Sequence, residues 1–262
     1  MKIIRKPEMQ ILPGQIAFYF LMSFIPILAL VALVTSHLIN SFDLIKTIES
    51  SVPAVLSSII TSLVNSASSS SSLFLLIGAY LILGSNGPQS IIIASDTLYG
   101  IKTPGALKLK IKSIIMIFII VILLIFMIFV PVFGDIIIKT LISFADFGDK
   151  LRKFAPFYTV IKLFFTFIII YFSIKLLYTI APDAKIKSKE TTVGAIFTAI
   201  SWMVATQIFA FYITNLANYN ELYGNFANIL ILLLWLYILA YLFVVGMALN
   251  INKYQNNVAI KD

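Results

Sequence analysis

An all-helical membrane protein with six transmembrane helices is the fold class that this sequence predicts, from its composition, its apolar runs and its lysine distribution. Hydrophobic residues make up 60% of the 262 residues and charged residues only 11%, against about 25% in a soluble domain. A soluble domain of this size has too little interior to bury so much apolar surface. The composition therefore excludes a soluble globule and a disordered chain, and the lack of cysteine excludes a disulfide scaffold.

Six apolar runs are long enough for a helix to cross a bilayer about 30 Å thick, which takes roughly 20 residues. Helices are predicted because lipid offers no partner to a free backbone N–H or C=O group. The runs are also too uniformly apolar for the strands of a barrel. The predicted spans cover residues 15–39, 73–93, 113–132, 157–180, 193–213 and 227–249. Together they form a single membrane domain over residues 1–262.

Lysine and arginine residues divide unequally between the two sides of this topology. Twelve lie in the N-terminus, the second and fourth loops and the C-terminal tail, against five in the loops of the other side. The richer side is predicted to be cytoplasmic, so both termini face the cytoplasm. We expect this basic face to contact anionic headgroups of membrane lipids. No nucleic-acid partner is predicted, because aromatic residues do not alternate with the lysines.

The first span follows Lys2, Arg5 and Lys6, as the apolar part of a signal peptide would. Its apolar run is too long for a signal peptide and lacks a clear cleavage site of small residues before His37. We therefore predict an uncleaved membrane helix, which Pro26 in its middle is expected to kink.

The second span contains a polar segment, Gly84–Gln89, with the sequence GSNGPQ. Its proline removes a helical N–H group and its glycines loosen the same turn, so a kink is expected. Its polar side chains cost free energy in lipid unless protein or water surrounds them. Two interpretations stay open, namely a kink satisfied by neighbouring helices and a polar notch that lines a substrate path. The candidate path residues are Ser85, Asn86 and Gln89, and the kink residues are Gly87 and Pro88.

Small residues recur on the fifth span at Gly194, Thr198, Ser201 and Ala205, and we expect them to pack closely against another helix. Beyond them, Gln207 is a candidate residue of a cavity. The outer connection that follows is rich in asparagine and tyrosine, which suits either an interfacial turn or recognition of a sugar or lipid headgroup. Its candidate path residues are Tyr219, Asn220, Tyr223 and Asn225.

Two outer loops have apolar residues at helical spacing, over Ile45–Leu63 and Leu141–Phe154. Short amphipathic helices that lie in the outer membrane interface are predicted for both. These helices either pack on the membrane surface or cap an outward-facing cavity, and both interpretations stay open.

No catalytic or metal-binding pattern stands out in the chain. The single His37, the lack of cysteine and the lack of GxSxG, P-loop or GxGxxG motifs leave metal, acyl-transfer and nucleotide chemistry without support. The acidic residues lie mostly in loops or at membrane edges, and no acidic pair within a span indicates a carboxylate relay. We therefore predict no cofactor, no metal site and no enzymatic activity.

Several short motifs occur in order along nearly the whole chain. They are Gly14–Tyr19 with Ser23–Pro26, Leu98–Lys102, Leu177–Tyr178 with Ala181–Pro182, Tyr219–Gly224 and Leu233–Tyr237. Together they resemble the motifs of the YihY/BrkB family of bacterial inner-membrane proteins, formerly named ribonuclease BN. The resemblance implies six helices, cytoplasmic termini and the export or transport of envelope lipids.

The resemblance has one departure, at the end of the last span. Relatives have the motif GAEL there, whereas this chain has Gly246–Leu249 with the sequence GMAL, so no role for that carboxylate is expected.

We predict that the protein moves or flips a lipid or another amphipathic envelope molecule through a polar groove between helices. The alternatives are a non-transporting membrane scaffold for envelope assembly and a membrane-bound enzyme. The protein partners left open are further copies of this chain, in a homo-oligomer, and proteins of envelope assembly. The ribonuclease activity is disfavoured because its catalytic groups are lacking.

Overall fold

The computed structural model describes residues 7–38, 73–123, 148–216 and 226–259. Within these ranges every regular element is an α-helix, so the all-helical prediction is confirmed for the described residues. The helices are α1 (Glu8–Leu38), α2 (Leu73–Gly84), α3 (Asn86–Tyr99), α4 (residues 106–123), α5 (Gly148–Ile180), α6 (Thr192–Leu216) and α7 (Phe226–Ala259).

Three of the described helices are long and apolar enough to cross a membrane. These segments are Leu163–Ile180 in α5, Thr192–Tyr212 in α6 and Leu230–Ile251 in α7. Only 22% to 28% of the residues in these segments are buried inside the bundle, so most of their apolar surface faces outward. An exterior of this kind is typical of helices surrounded by lipid. The number of six spans stays a prediction.

The helix bounds differ from the predicted spans in three places. The second span consists of two helices, α2 and α3, that are separated at Ser85. The fourth helix begins at residue 106, so the lysines at 108, 110 and 112 lie on a helix and not in a loop, as the high helix propensity of lysine allows. The fifth helix begins at Gly148, so Leu151 and Phe154 are continuous with the fourth span. The rest of both predicted interfacial segments lies outside the described residues.

The first and last helices connect most of the bundle. Helix α7 packs against α1, α3 and α6, while α1 also contacts α2 and α3, and α5 packs on α6. One buried apolar cluster joins these helices, and a smaller one joins α1 to α4. The smaller cluster consists of Ile27, Leu30, Ile117 and Val121.

A seam of hydrogen bonds joins α5, α6 and α7. The Tyr178 hydroxyl donates to a backbone carbonyl of α7 at 2.6 Å and lies 2.8 Å from Thr198 Oγ1. The Gly194 N–H group donates to Asn250 Oδ1 at 2.7 Å. A Cβ atom on Gly194 would collide with the Gly246 carbonyl, so the helices can approach this closely only with glycine there. At Gly194 and Thr198, α6 thus approaches α7 as closely as was expected for the small residues of the fifth span.

Candidate functional site

The polar segment Gly84–Gln89 forms an interruption between two helices. Helix α2 ends at Gly84 and α3 begins at Asn86, with Ser85 in the turn between them. Pro88 lacks the N–H group that would bond to the Gly84 carbonyl in a continuous helix. The disturbance expected from the proline and the glycines therefore takes the form of a break between α2 and α3.

Ser23 of α1 provides partners for the backbone at this interruption. The Gly87 N–H group donates to Ser23 Oγ at 2.8 Å, and the Ser23 hydroxyl donates to the Leu83 carbonyl at 3.4 Å. A continuous helix would join that N–H and that carbonyl directly, so the serine hydroxyl is inserted into a helical hydrogen bond. Gly87 permits the approach, because a Cβ atom there would lie 3.2 Å from Ser23 Oγ.

Lys110 of α4 also reaches the interruption. Its Nζ atom donates to the Ile82 carbonyl at 2.9 Å and to Asn86 Oδ1 at 3.0 Å. Loss of water around the ammonium lowers the pKa of Lys110. Ser85 is fully buried and donates to the Ile82 carbonyl within its own turn, and Gln89 is partly buried one turn into α3.

The other residues predicted for a substrate path do not join this group. Gln207 is exposed on α6. Helix α1 continues past Pro26 as a single helix, and Pro26 is buried. The remaining candidates lie outside the described residues, namely Tyr219, Asn220, Tyr223 and Asn225.

The helices surround an apolar cavity of about 220 Å³, with walls from α1 and from α3 to α7. Aliphatic and aromatic side chains form nearly all of the wall. Ser173 in the wall donates to the Ile169 carbonyl of its own helix at 2.7 Å, and Trp202 Nε1 donates to the Leu239 carbonyl at 2.9 Å. The cavity thus suits an apolar occupant, since burial of apolar surface is favourable and a polar group would lose its hydrogen bonds to water.

The apolar cavity and the predicted polar groove are different places. Asn86, Gln89 and Gln207 are not among the residues that line the cavity. Asn86 instead pairs with a lysine, and Gln207 faces the outside of the bundle. The structure therefore separates the polar candidates from the unfilled space.

The ends of α3, α4 and α5 meet in a charged cluster, which we call the lysine-rich end (residues 96–112 and 181–191). Asp96 is fully buried there, and its Oδ1 atom accepts the Asp183 N–H group at 2.7 Å. Its Oδ2 atom is buried with no hydrogen-bond partner among the described residues. Burial raises the pKa of the Asp96 carboxyl, although this N–H group and Lys112 favour the ionised form.

The Asp183 side chain forms ion pairs with two lysines of α4. Lys108 Nζ lies 2.8 Å from Asp183 Oδ2, and Lys112 Nζ lies 3.6 Å from Asp183 Oδ1. The two lysines are four residues apart, so they share one face of the helix. Lys112 also donates to the carbonyls of Ala181 and Pro182 at 2.8 Å each. The hydrogen bond from Lys108 lowers the pKa of Asp183.

A left-handed glycine fixes the end of α3 and with it the position of Asp96. Gly100 has a φ of 68°, and the Ile101 N–H group donates to the Asp96 carbonyl at 2.8 Å. Glycine adopts this conformation without steric cost and commonly ends helices in this way. The glycine of the motif Leu98–Lys102 is therefore required by the backbone.

Sequence reasoning missed Ser23, Lys110, Asp96 and Asp183. A signal for Asp96 was present, because Gly100 places it in the last turn of a helix, where the helix dipole disfavours a carboxylate. The other three depend on contacts between helices far apart in the sequence. Within the described ranges, no group of three or more His, Cys, Asp or Glu residues is placed to hold a metal ion.

Comparison with known proteins identifies the family. The family model described as Virulence factor BrkB matches residues 4–261. The chain is 26% identical over 242 residues to the putative ribonuclease-like protein YfkH of Bacillus subtilis (strain 168), which covers 90% of this chain and 87% of YfkH. It is 28% identical over 131 residues to a UPF0761 membrane protein of Glaesserella parasuis, but this match covers 49% of this chain and 45% of that protein.

A UPF0761 membrane protein of Haemophilus influenzae (strain Rd) is 36% identical over 91 residues, or 35% of this chain and 30% of that protein. No solved structure matches significantly. The family model, however, extends over nearly the whole chain, so the resemblance seen in the motifs is confirmed. The chain is a membrane protein that belongs to the Virulence factor BrkB family.

Proposed function

We propose that this chain is a multi-pass protein of the bacterial inner membrane, with cytoplasmic termini, that moves a lipid or another amphipathic envelope molecule. The observation that carries the proposal is the apolar cavity between the helices. Such a cavity can hold a hydrocarbon chain, because a preformed apolar site binds apolar ligands by removing their surface from water.

The polar part of the molecule needs a separate site, since the cavity wall offers it little. The lysine-rich end has ammonium groups that attract an anionic headgroup. Asn86 and Gln89 would contact the headgroup as it passes the interruption, and Gln207 and the segment Tyr219–Asn225 would contact it further along. No ATP-binding motif is found in the sequence, so the proposed energy source is an ion gradient, a partner or downhill flow.

The proposal assigns no ribonuclease activity to this chain, although YfkH has a ribonuclease-like name. Hydrolysis of RNA needs a metal-held water or an acid–base pair. The sequence has one histidine and no cysteine, and the buried Asp96 is held by a backbone N–H group at one oxygen.

Transport can be measured with purified protein in liposomes that contain a fluorescent phospholipid. We expect faster movement of the phospholipid between leaflets than in empty vesicles. Ala240 lines the cavity and is 5% exposed, so Ala240→Leu should fill part of the cavity and slow the movement. The matched control Ala79→Leu, on an exposed position of α2, should leave the rate unchanged.

Two results would contradict the proposal. Movement no faster than in empty vesicles, with several headgroups and an imposed gradient, would remove transport and favour the scaffold. Equal rates for the Ala240→Leu and Ala79→Leu variants would show that the cavity is not part of the path.

A further inference from the structure

We propose that the lysine-rich end is a binding site for a phosphate group and that a proton on Asp96 controls its affinity. The inference rests on the proposed function, because it assigns the headgroup half of the lipid site. Its test measures binding and does not require transport.

The first observation is the unpartnered oxygen of Asp96. Asp96 is fully buried, and its Oδ2 atom has no hydrogen-bond partner among the described residues. Buried polar atoms nearly always have a partner, and a buried carboxylate without one is costly. A proton on Oδ2 removes the charge and relieves this cost.

The second observation is the set of charges that face Asp96. They come from Lys108 and Lys112 on α4 and from Asp183 after α5. Helix α1 runs antiparallel to α3 and begins at this end of the bundle with Glu8. Protonation of Asp96 removes one negative charge from this group of residues and so makes its net charge more positive by one unit.

The third observation is a surface pocket of about 540 Å³ beside this cluster. Lys112, Asp183 and Lys185 are among the residues that line it. Lys108 pairs with Asp183 but is 69% exposed, so its ammonium can turn toward a ligand. Ammonium groups form strong, charge-assisted hydrogen bonds to phosphate. The pocket therefore suits a phosphate group, and protonation of the neighbouring Asp96 strengthens the attraction.

The proton step changes one group and leaves the others in place. Asp96 Oδ2 gains a proton, and Oδ1 continues to accept the Asp183 N–H group. Burial raises the pKa of Asp96, whereas the hydrogen bond from Lys108 lowers the pKa of Asp183, so Asp96 is the first of the two aspartates to take up a proton as the pH falls. Because linkage is reciprocal, bound phosphate must increase the proton affinity of Asp96 by the same factor.

The binding experiment uses the full chain in phosphatidylcholine nanodiscs and titration calorimetry with glycerophosphoglycerol, a phosphodiester whose charge is constant in this range. The two pH values compared are about 4.5 and about 7.5, because a raised pKa moves the titration of an aspartate above its ordinary value of about 3.9. We expect binding about tenfold tighter at the lower pH. Asp96→Asn, which keeps the acceptor for the Asp183 N–H group, should bind tightly at both pH values.

Asp183→Asn is the matched control. It also removes one negative charge and should strengthen binding, but it should retain the pH dependence because Asp96 is unchanged. The inference is overturned if Asp96→Asn keeps the wild-type pH dependence, or if the wild-type protein binds equally at both pH values or not at all.

Thermal unfolding of the same variants checks the fold. The native carboxyl of Asp96 binds its proton more tightly than the unfolded chain does. Its contribution to stability is therefore complete below the unfolded pKa and is lost as the pH rises through the native pKa. Asp96→Asn should lack this pH dependence and be relatively more stable at neutral pH, whereas a misfolded variant would be less stable throughout.

Native mass spectrometry of protein from phosphatidylglycerol nanodiscs separates the two sources of phosphate. Phosphatidylglycerol retained at low pH and lost in the Lys112→Gln variant would assign the site to a lipid headgroup. Binding of glycerophosphoglycerol undiminished by the lipid would assign it to a soluble phosphate compound. If lipid movement fails while pH-linked binding remains, the proposed function fails and this site stands.

Discussion

The interruption between α2 and α3 differs from the apolar cavity in its polar contacts. At the interruption, Ser23 and Lys110 from neighbouring helices bond to the backbone. In the cavity wall, the Ser173 hydroxyl bonds to its own helix, Trp202 Nε1 donates to the Leu239 carbonyl of α7, and the rest is largely apolar. In this bundle, the polar residues of the interruption thus hold helices together, whereas bulky apolar side chains surround the unfilled space.

The largest expected effect that tests this comparison is at Gly87. A Cβ atom there would lie 3.2 Å from Ser23 Oγ, so Gly87→Leu forces α1 away from the interruption. We expect a loss of about 3 kcal/mol in the free energy of unfolding, measured by denaturant titration in detergent. The control is Gly78→Leu on α2, where a Cβ atom meets nothing within 4 Å. Equal losses for both variants would contradict the close contact.

Removing the inserted hydroxyl should have the next largest effect. Ser23→Ala leaves the buried Gly87 N–H group and the partly buried Leu83 carbonyl without their partner. We expect a loss of about 1.5 kcal/mol in the same assay. The exposed Ser188→Ala serves as the control. If the two variants are equally stable, Ser23 is not a structural partner of the interruption.

The same change at the cavity wall should have the smallest effect. Ser173 is buried, but its hydroxyl bonds only to the Ile169 carbonyl one turn earlier in α5, an arrangement that contributes little to helix stability. We expect Ser173→Ala to change the free energy of unfolding by less than about 0.5 kcal/mol. A loss as large as that of Ser23→Ala would remove the distinction between the two regions.

The sequence predicted where the helix would be interrupted, but it did not predict which side chains would bond to the backbone there. Gly84, Gly87 and Pro88 act through local backbone chemistry, which can be read from neighbouring residues. Ser23 and Lys110 lie far from the interruption along the chain, so their roles depend on how the helices pack. The all-helical fold class was also predictable, because it follows from the apolar composition of the chain.

The site was predicted less well, because burial of a single polar residue depends on its neighbours. Asp96 lies just past the predicted second span and was grouped with the edge acids, yet the packed helices exclude it from water. Lys108 and Lys112 were counted for topology as loop residues, whereas their helical spacing brings both to Asp183. The apolar cavity had no sequence signal, since apolar side chains that leave a gap look the same as those that fill one.

The hydroxyl of Ser23 occupies the place that a water molecule would otherwise take in a broken helix. A helix interruption whose backbone groups bond to a side chain of the protein needs no water to remain stable in the membrane interior. The hydrogen bond that the helix loses between Leu83 and Gly87 is therefore replaced from within the protein.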